Sequence, residues 1–317
     1  MGNFPSTSSN VPYFWSKLEF SLLLFGIIVS IPCYLFVFYH LLTEKNRQKT
    51  LHNHVMIILL FYNFLIVTLD LTMTLDFNRL GYVSLFNPVL CRIWQFIDHG
   101  IWYGAVSVMF WASFERHILI FHPRLVATPR RRLFIHYIPL AFFSLYTPML
   151  FFYLIFLYSC GQTFAATEVR CGIICLYTDA LNSLQLYDSY VDNVLPVLLI
   201  GVCSITLLFR FIRQRQRMKQ AVTWRHCRKM TLQLVLVSAA YSICDLPSIV
   251  VSIIHLSGYP NFANYIWSPY LTRLTFVPSI IVPFAISLTL PELKQKLWAL
   301  CIWKRNRRVI APRAIIN

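Results

Sequence analysis

Residues 91–123 read CRIWQFIDHGIWYGAVSVMFWASFERHILIFHP. A cysteine opens the stretch, Asp98 is the one acid of its first half, and Glu115-Arg116-His117 stand near its end. Between Asp98 and Glu115 there is no formal charge except the possible one on His99. At about 1.5 Å of rise per residue, a helix of this length crosses the hydrocarbon layer of a bilayer. Charges inside such a span are costly, and they usually face an interior or a cavity where they serve a purpose. The segment therefore offers a tether at one end, an acid that can face a ligand, and a charged switch at the other end. The same run could be a buried helix of a large soluble enzyme. Composition decides against that.

The chain has 317 residues, of which 57% are apolar and only 13% charged, with a mean hydropathy of +0.60. Soluble domains carry about 25% charged residues. Folded in water, this chain would lack polar cover for its surface, so lipid is its natural solvent. No basic segment with a short apolar core, as in a cleavable secretory signal, opens the sequence. The first apolar run is too long for one and reads as signal and anchor together. The start MGNFPS fits the loose myristoylation pattern, which would require a cytoplasmic N-terminus.

The expected spans are 18–42, 52–75, the central stretch 91–123, 133–157, 189–211, 230–256 and 269–290, after a loose tail at 1–17 and with a polar loop of three cysteines at 158–188. Prolines 32, 196, 247, 278 and 283 fall inside spans, which membrane helices tolerate. Asn63 and Asp70 are seven residues apart, hence on roughly one face of the second span. PELKQKLWALCIW, within 291–303, reads as an amphipathic helix lying on the membrane surface, and 304–317 as a basic tail. The expected architecture is an all-α membrane protein: a seven-transmembrane helix bundle at 18–290 with a short amphipathic surface helix after the seventh span.

Alternate connections hold three, four, eight and seven Lys and Arg, which is 22 of the 28 in the chain. Basic residues collect on the cytoplasmic side. The expectation is therefore a multi-pass plasma-membrane protein with its N-terminus outside and its C-terminus in the cytoplasm. This distribution also accounts for the net charge of +16 through attraction to membrane lipids of the anionic inner leaflet. No compact basic domain calls for nucleic acid.

No catalytic pattern stands out: there is no His-Glu-x-x-His, Walker loop or nucleophile elbow, and no cysteine pairs at zinc spacing. Neither an enzyme nor a cofactor is expected. Cys91 sits at the outer end of its span, in an oxidising compartment, and reads as a disulfide partner. Cys160 lies close to its own helix end, which leaves Cys171 or Cys175 as the mate, with a free thiol as the alternative. Cys33, Cys203 and Cys244 read as small core residues. A buried carboxylate must be neutral or paired, so Asp98 meets a ligand cation, His99 or a basic side chain of the bundle. Asp245 should lie at similar depth, and Trp102 counts with these two as a ligand-side residue. Glu115-Arg116 can hold one of two packings, as a switch requires, or Arg116 can simply snorkel to the interface.

Cys91 stands 25 residues before Arg116, and His117 stands six before Pro123. In these intervals the chain resembles the rhodopsin-like G-protein-coupled receptors, whose third helix ends in Asp/Glu-Arg-Tyr; Pro196 and the Cys-x-x-Pro at 244–247 fit as well. The resemblance implies a receptor that couples an extracellular small molecule or peptide to a heterotrimeric G protein. Asp98 would hold a ligand cation, and Glu115, Arg116 and His117 would form the switch that meets the G protein. Cys301 would lie where many members are palmitoylated. The chain departs from the family at several relay positions. Asn63 replaces an acid and Ala105 a polar residue, which implies that the internal sodium site is absent or crippled. Asp245 replaces the tryptophan of Cys-Trp-x-Pro, and Val282-Pro283-Phe284-Ala285-Ile286 replaces Asn-Pro-x-x-Tyr. The alternatives are a seven-span transporter or channel-like protein, which should show an internal repeat and broken half-helices, and a non-signalling receptor-like scaffold.

Overall fold

The computed structural model describes residues 13–43, 51–158, 161–172, 174, 182–217, 221–259, 262–263 and 270–289. Cys160, Cys175, Cys301, the expected surface helix at 291–303 and the basic tail lie outside them. Within the described residues the chain forms helices without a strand. They make seven rods: α1 (Tyr13–Thr43), α2 (51–80), α3 (88–121), α4 (129–157), α5 (182–217), α6 (Ala221–Leu256) and α7 (272–289). Five helices are long and apolar enough to cross a membrane, and α7 contributes a shorter apolar helix.

The rods face an apolar solvent. On α1, Leu22, Phe25 and Ile28 are each more than 60% exposed. A helix that is apolar all round belongs in a core or in lipid. The opposite faces pack: Tyr34, Val37, Leu59, Val106, Met109 and Ile200 are shut away completely. Polar side chains fasten the rods where they meet. The Tyr34 hydroxyl donates to the Ser279 carbonyl (2.6 Å), joining α1 to α7. The Ser204 hydroxyl donates to that of Ser238 (2.7 Å), joining α5 to α6. Tyr62 donates to the carbonyl of Ser144, joining α2 to α4. At Gly104 the Tyr62 ring comes so close that a Cβ would sit 2.8 Å from it, so glycine sets the separation of α2 and α3.

Several rods run longer than the apolar pattern predicts. α2 ends at Leu80, where Gly81 takes a left-handed conformation (φ 76°) and caps it. α4 begins at Pro129 after an N-cap from Thr128. α5 begins at Asn182 rather than at 189, so its first turns carry Asp188 inside the helix. α2, α3, α4 and α5 each contain π-helical turns. Such turns insert an extra residue, rotate the faces beyond them, and recur at functional sites.

Candidate functional site

Cys91, in the first turns of α3, forms a disulfide with Cys171, with Cα atoms 5.6 Å apart. Of the two expected partners, Cys171 is the one. Cys91 is fully buried with Trp94 and Val83, and the bond draws residues 161–172 over this end of the rods. Gln95 holds the loop down, its amide donating to the carbonyls of Arg170 (3.3 Å) and Gly172 (3.1 Å). Arg170 and Cys171 both take left-handed backbone conformations, at φ 57° and 59°. Non-glycine residues are held there only when the surroundings enforce it.

The enforced conformation places the Arg170 side chain over a cavity of about 270 Å³. Its walls include Asp70 from α2, Asp98, His99 and Trp102 from α3, and Asp188 from α5. Asp70, Asp98 and Asp188 each lie in a π-helical segment: Ile66–Asp70, Ile97–Ile101 and Asp188–Val194. The irregular turns thus converge on the cavity and aim one carboxylate apiece at it.

Each carboxylate is engaged differently. Asp98 Oδ1 lies 2.8 Å from Arg170 Nε, and its Oδ2 lies 3.1 Å from His99 Nδ1. Asp70 is completely buried and accepts from the Trp94 indole (2.9 Å). Asp188 accepts from the Tyr103 hydroxyl (3.1 Å). Burial works against the Arg170 charge, but Asp98 and then Asp70 outweigh it and raise the pKa above its ordinary value. The guanidinium is therefore a fixed positive charge among three acids.

The sequence expectation offered Asp98 a ligand, His99 or a basic residue of the bundle; the basic partner comes from the loop instead. Trp102 lines the cavity. Asp245 does not line it. Ser248 and Ser252 do, three and seven residues further along α6 and so on its face, which puts Asp245 beneath the cavity. It is 1% exposed, and neither carboxylate oxygen has a hydrogen-bond partner among the described residues.

At the other end of α3, Glu115 and Arg116 are both buried. The Glu115 carboxylate bonds His136 Nδ1 on α4, and His136 Nε2 lies 3.3 Å from His54 Nδ1 on α2. A His136 tautomer protonated on Nδ1 donates to Glu115 and leaves Nε2 to accept from His54. His117 Nε2 lies 2.9 Å from the Cys203 carbonyl of α5. Thus α3 is tied to α2, α4 and α5 within one turn of the helix. Among the described residues no cluster of three or more His, Cys, Asp or Glu could hold a metal ion.

An α3 pinned at one end by a disulfide and carrying a buried Glu-Arg pair at the other agrees with one comparison that matches the chain. The sequence model of the 7 transmembrane receptor (rhodopsin family) matches residues 34–285. The chain belongs to that family. Among curated proteins none matches it.

As a rhodopsin-family protein the chain is a multi-pass membrane protein and not an enzyme. Its departures from the family pattern acquire a structural setting. Asn63, standing where the family has an acid, accepts from the Tyr241 hydroxyl of α6 (2.7 Å) and donates to the Leu59 carbonyl (2.7 Å). A neutral amide there serves as a clasp between α2 and α6. Sequence reasoning missed Arg170, His136 and His54 as partners of named site residues. Arg170 stands beside Cys171, but adjacency to a bridged cysteine does not mark it, since Arg92 beside Cys91 does not line this cavity. Nothing in the sequence marks His136 as the partner of Glu115 beyond being a polar insertion in an apolar run.

Proposed function

We propose that this rhodopsin-family protein is a plasma-membrane receptor that couples an extracellular ligand, a small molecule or peptide, to a cytoplasmic heterotrimeric G protein. All seven rods cross the bilayer, with the N-terminus outside and the basic connections within. The outer tail ends where α1 begins at Tyr13, earlier than the expected boundary after residue 17, and the bundle extends from there to 290. Residues 291–303 lie on the inner leaflet with Cys301 as a lipidation site, and 304–317 are a cytoplasmic tail. Glu115, Arg116 and His117 form the switch toward the G protein.

The observation that carries this reading is the two-ended α3. One continuous rod has Asp98 in a cavity at its disulfide end and buried Glu115-Arg116 at its other end. A ligand acts by binding one packing of the rods more tightly than another, and it can shift the equilibrium only by that difference.

Among the described residues that line the cavity, Asp70, Asp98 and Asp188 outnumber the one permanent cation, Arg170, so a ligand carrying a positive group is favoured. Such a group reaches Asp98 by displacing Arg170, and Arg170 is joined to the disulfide-held loop. Ligand entry is thereby coupled to the loop and to the first turns of α3. Asp245, beneath the cavity on α6, is a further acid that a deeper cationic group would meet.

The test is a screen of cationic small molecules for G-protein recruitment in cells, repeated with Asp98→Asn and Arg170→Gln. Active compounds are expected to lose potency at least tenfold on Asp98→Asn and to change potency on Arg170→Gln. Compounds whose potency survives Asp98→Asn undiminished would remove Asp98 from the ligand site.

A further inference from the structure

We infer that the crevice between the first turns of α1, the last turns of α2 and the start of α7 binds a single-chain amphiphile with an anionic phosphate headgroup. This crevice, of about 480 Å³, is separate from the disulfide-end cavity. It shares no lining residue with that cavity, so its occupant need not be the ligand of the receptor.

Its lining is sorted by depth. Lys17 of α1, Arg79 of α2 and Arg273 of α7 stand at the end nearest the loops, while Phe20, Leu23 and Leu75 stand further along the same helices. From Lys17 to Leu23 the helix rises about 9 Å, and from Arg79 back to Leu75 about 6 Å. The crevice is therefore cationic at its mouth and apolar at its floor within one lipid headgroup's reach of the surface. Its flank is lipid-facing, since Leu18 and Leu22 are exposed beside it.

The charged end is a built site. Arg273 is held from two sides, by Glu19 Oε2 on Nη1 (2.9 Å) and by Asn78 Oδ1 on Nη2 (3.0 Å). Among the described residues the buried Glu19 Oε1 has no hydrogen-bond partner, and it can accept from a donor. Three cations stand against one carboxylate, a formal balance of +2. A phosphate monoester carries about −1.5 to −2 near neutrality. Its charged oxygens suit Lys17 and Arg79, and in its monoprotonated form its hydroxyl can donate to Glu19 Oε1. A carboxylate head has no donor to offer there, and a zwitterionic choline head brings a cation to a cationic mouth.

The probe is dodecyl phosphate, below its micelle concentration, added to the purified full chain in nanodiscs of phosphatidylcholine. The readout is the midpoint of thermal unfolding, with dodecylphosphocholine and inorganic phosphate as comparison arms. Dodecyl phosphate is expected to raise the midpoint saturably. Its half-saturating concentration should increase at least tenfold in Lys17→Gln/Arg79→Gln, two positions on the exposed rim, and stay unchanged in Asp98→Asn. An equal rise with dodecylphosphocholine would overturn the inference, as would an equal rise with inorganic phosphate, which would leave an anion site without a tail channel. So would a double variant that titrates like the natural chain, or a titration moved by Asp98→Asn, which would place the amphiphile in the other cavity.

Discussion

His136 on α4 bonds the carboxylate of Glu115 on α3, 21 residues earlier in the chain, and both side chains are almost completely shut away, at 0% and 3% exposure. The pair fixes α3 to α4 at the end that carries Arg116. His54 extends it to α2. Replacing His136 by Ala leaves the Glu115 carboxylate buried without this donor, which costs about 1–3 kcal/mol or more. We expect a lower midpoint of thermal unfolding for His136→Ala in detergent, and a smaller loss for His136→Gln, whose amide restores a donor. If the bond holds the resting packing, His136→Ala also raises ligand-free G-protein recruitment. A variant as stable as the natural chain would show that the bond contributes nothing.

The clasp between Asn63 and Tyr241 is the neutral counterpart on α2 and α6. Tyr241→Phe removes one hydroxyl and is expected to cost about 1 kcal/mol. In a double-mutant cycle with Asn63→Ala the coupling should be at least about 0.5 kcal/mol, because the two side chains are direct partners. Additive losses would mean that the bond does not form in the membrane.

Cys91 and Cys171 close a loop of 80 residues, and opening it is expected to cost about 2–5 kcal/mol. Peptide mapping without reduction should recover Cys91 linked to Cys171; linkage to Cys175 would contradict the structure. Arg170 stands beside the disulfide that ties its loop to α3, and we expect this tie to be needed for its approach to Asp98. Any effect of Arg170→Gln on ligand potency should therefore vanish in a Cys171→Ser background. An undiminished effect would mean that the guanidinium finds Asp98 unaided.

The rods were legible because their cause is local. Apolar runs of the right length mark where helices can lie, and the interval from Cys91 to Pro123 marks α3. Their ends were less so. Asp188 made the start of α5 look like loop, yet it is buried in helix, because π-helical turns direct it inward. The site was legible one partner at a time. Asp98, Trp102, Glu115 and Arg116 stand out as polar or aromatic groups in a span, but which groups they meet depends on how rods distant in sequence are rotated. Arg170 required knowing which cysteine binds Cys91, and His136 required the relative height of α3 and α4. Hydrophobic periodicity reports which face is buried and says nothing of which polar atoms meet across it.

The central claim is that the two ends of α3 belong to one signalling device. The most direct measurement is ligand-free recruitment of G protein to the receptor in cells, natural chain beside Arg116→Ala at matched surface expression. The account predicts measurable recruitment that changes at least several-fold when Arg116 is removed. Recruitment absent from both, together with uptake of a solute by cells expressing the chain, would contradict it and make the protein a carrier built on a receptor scaffold.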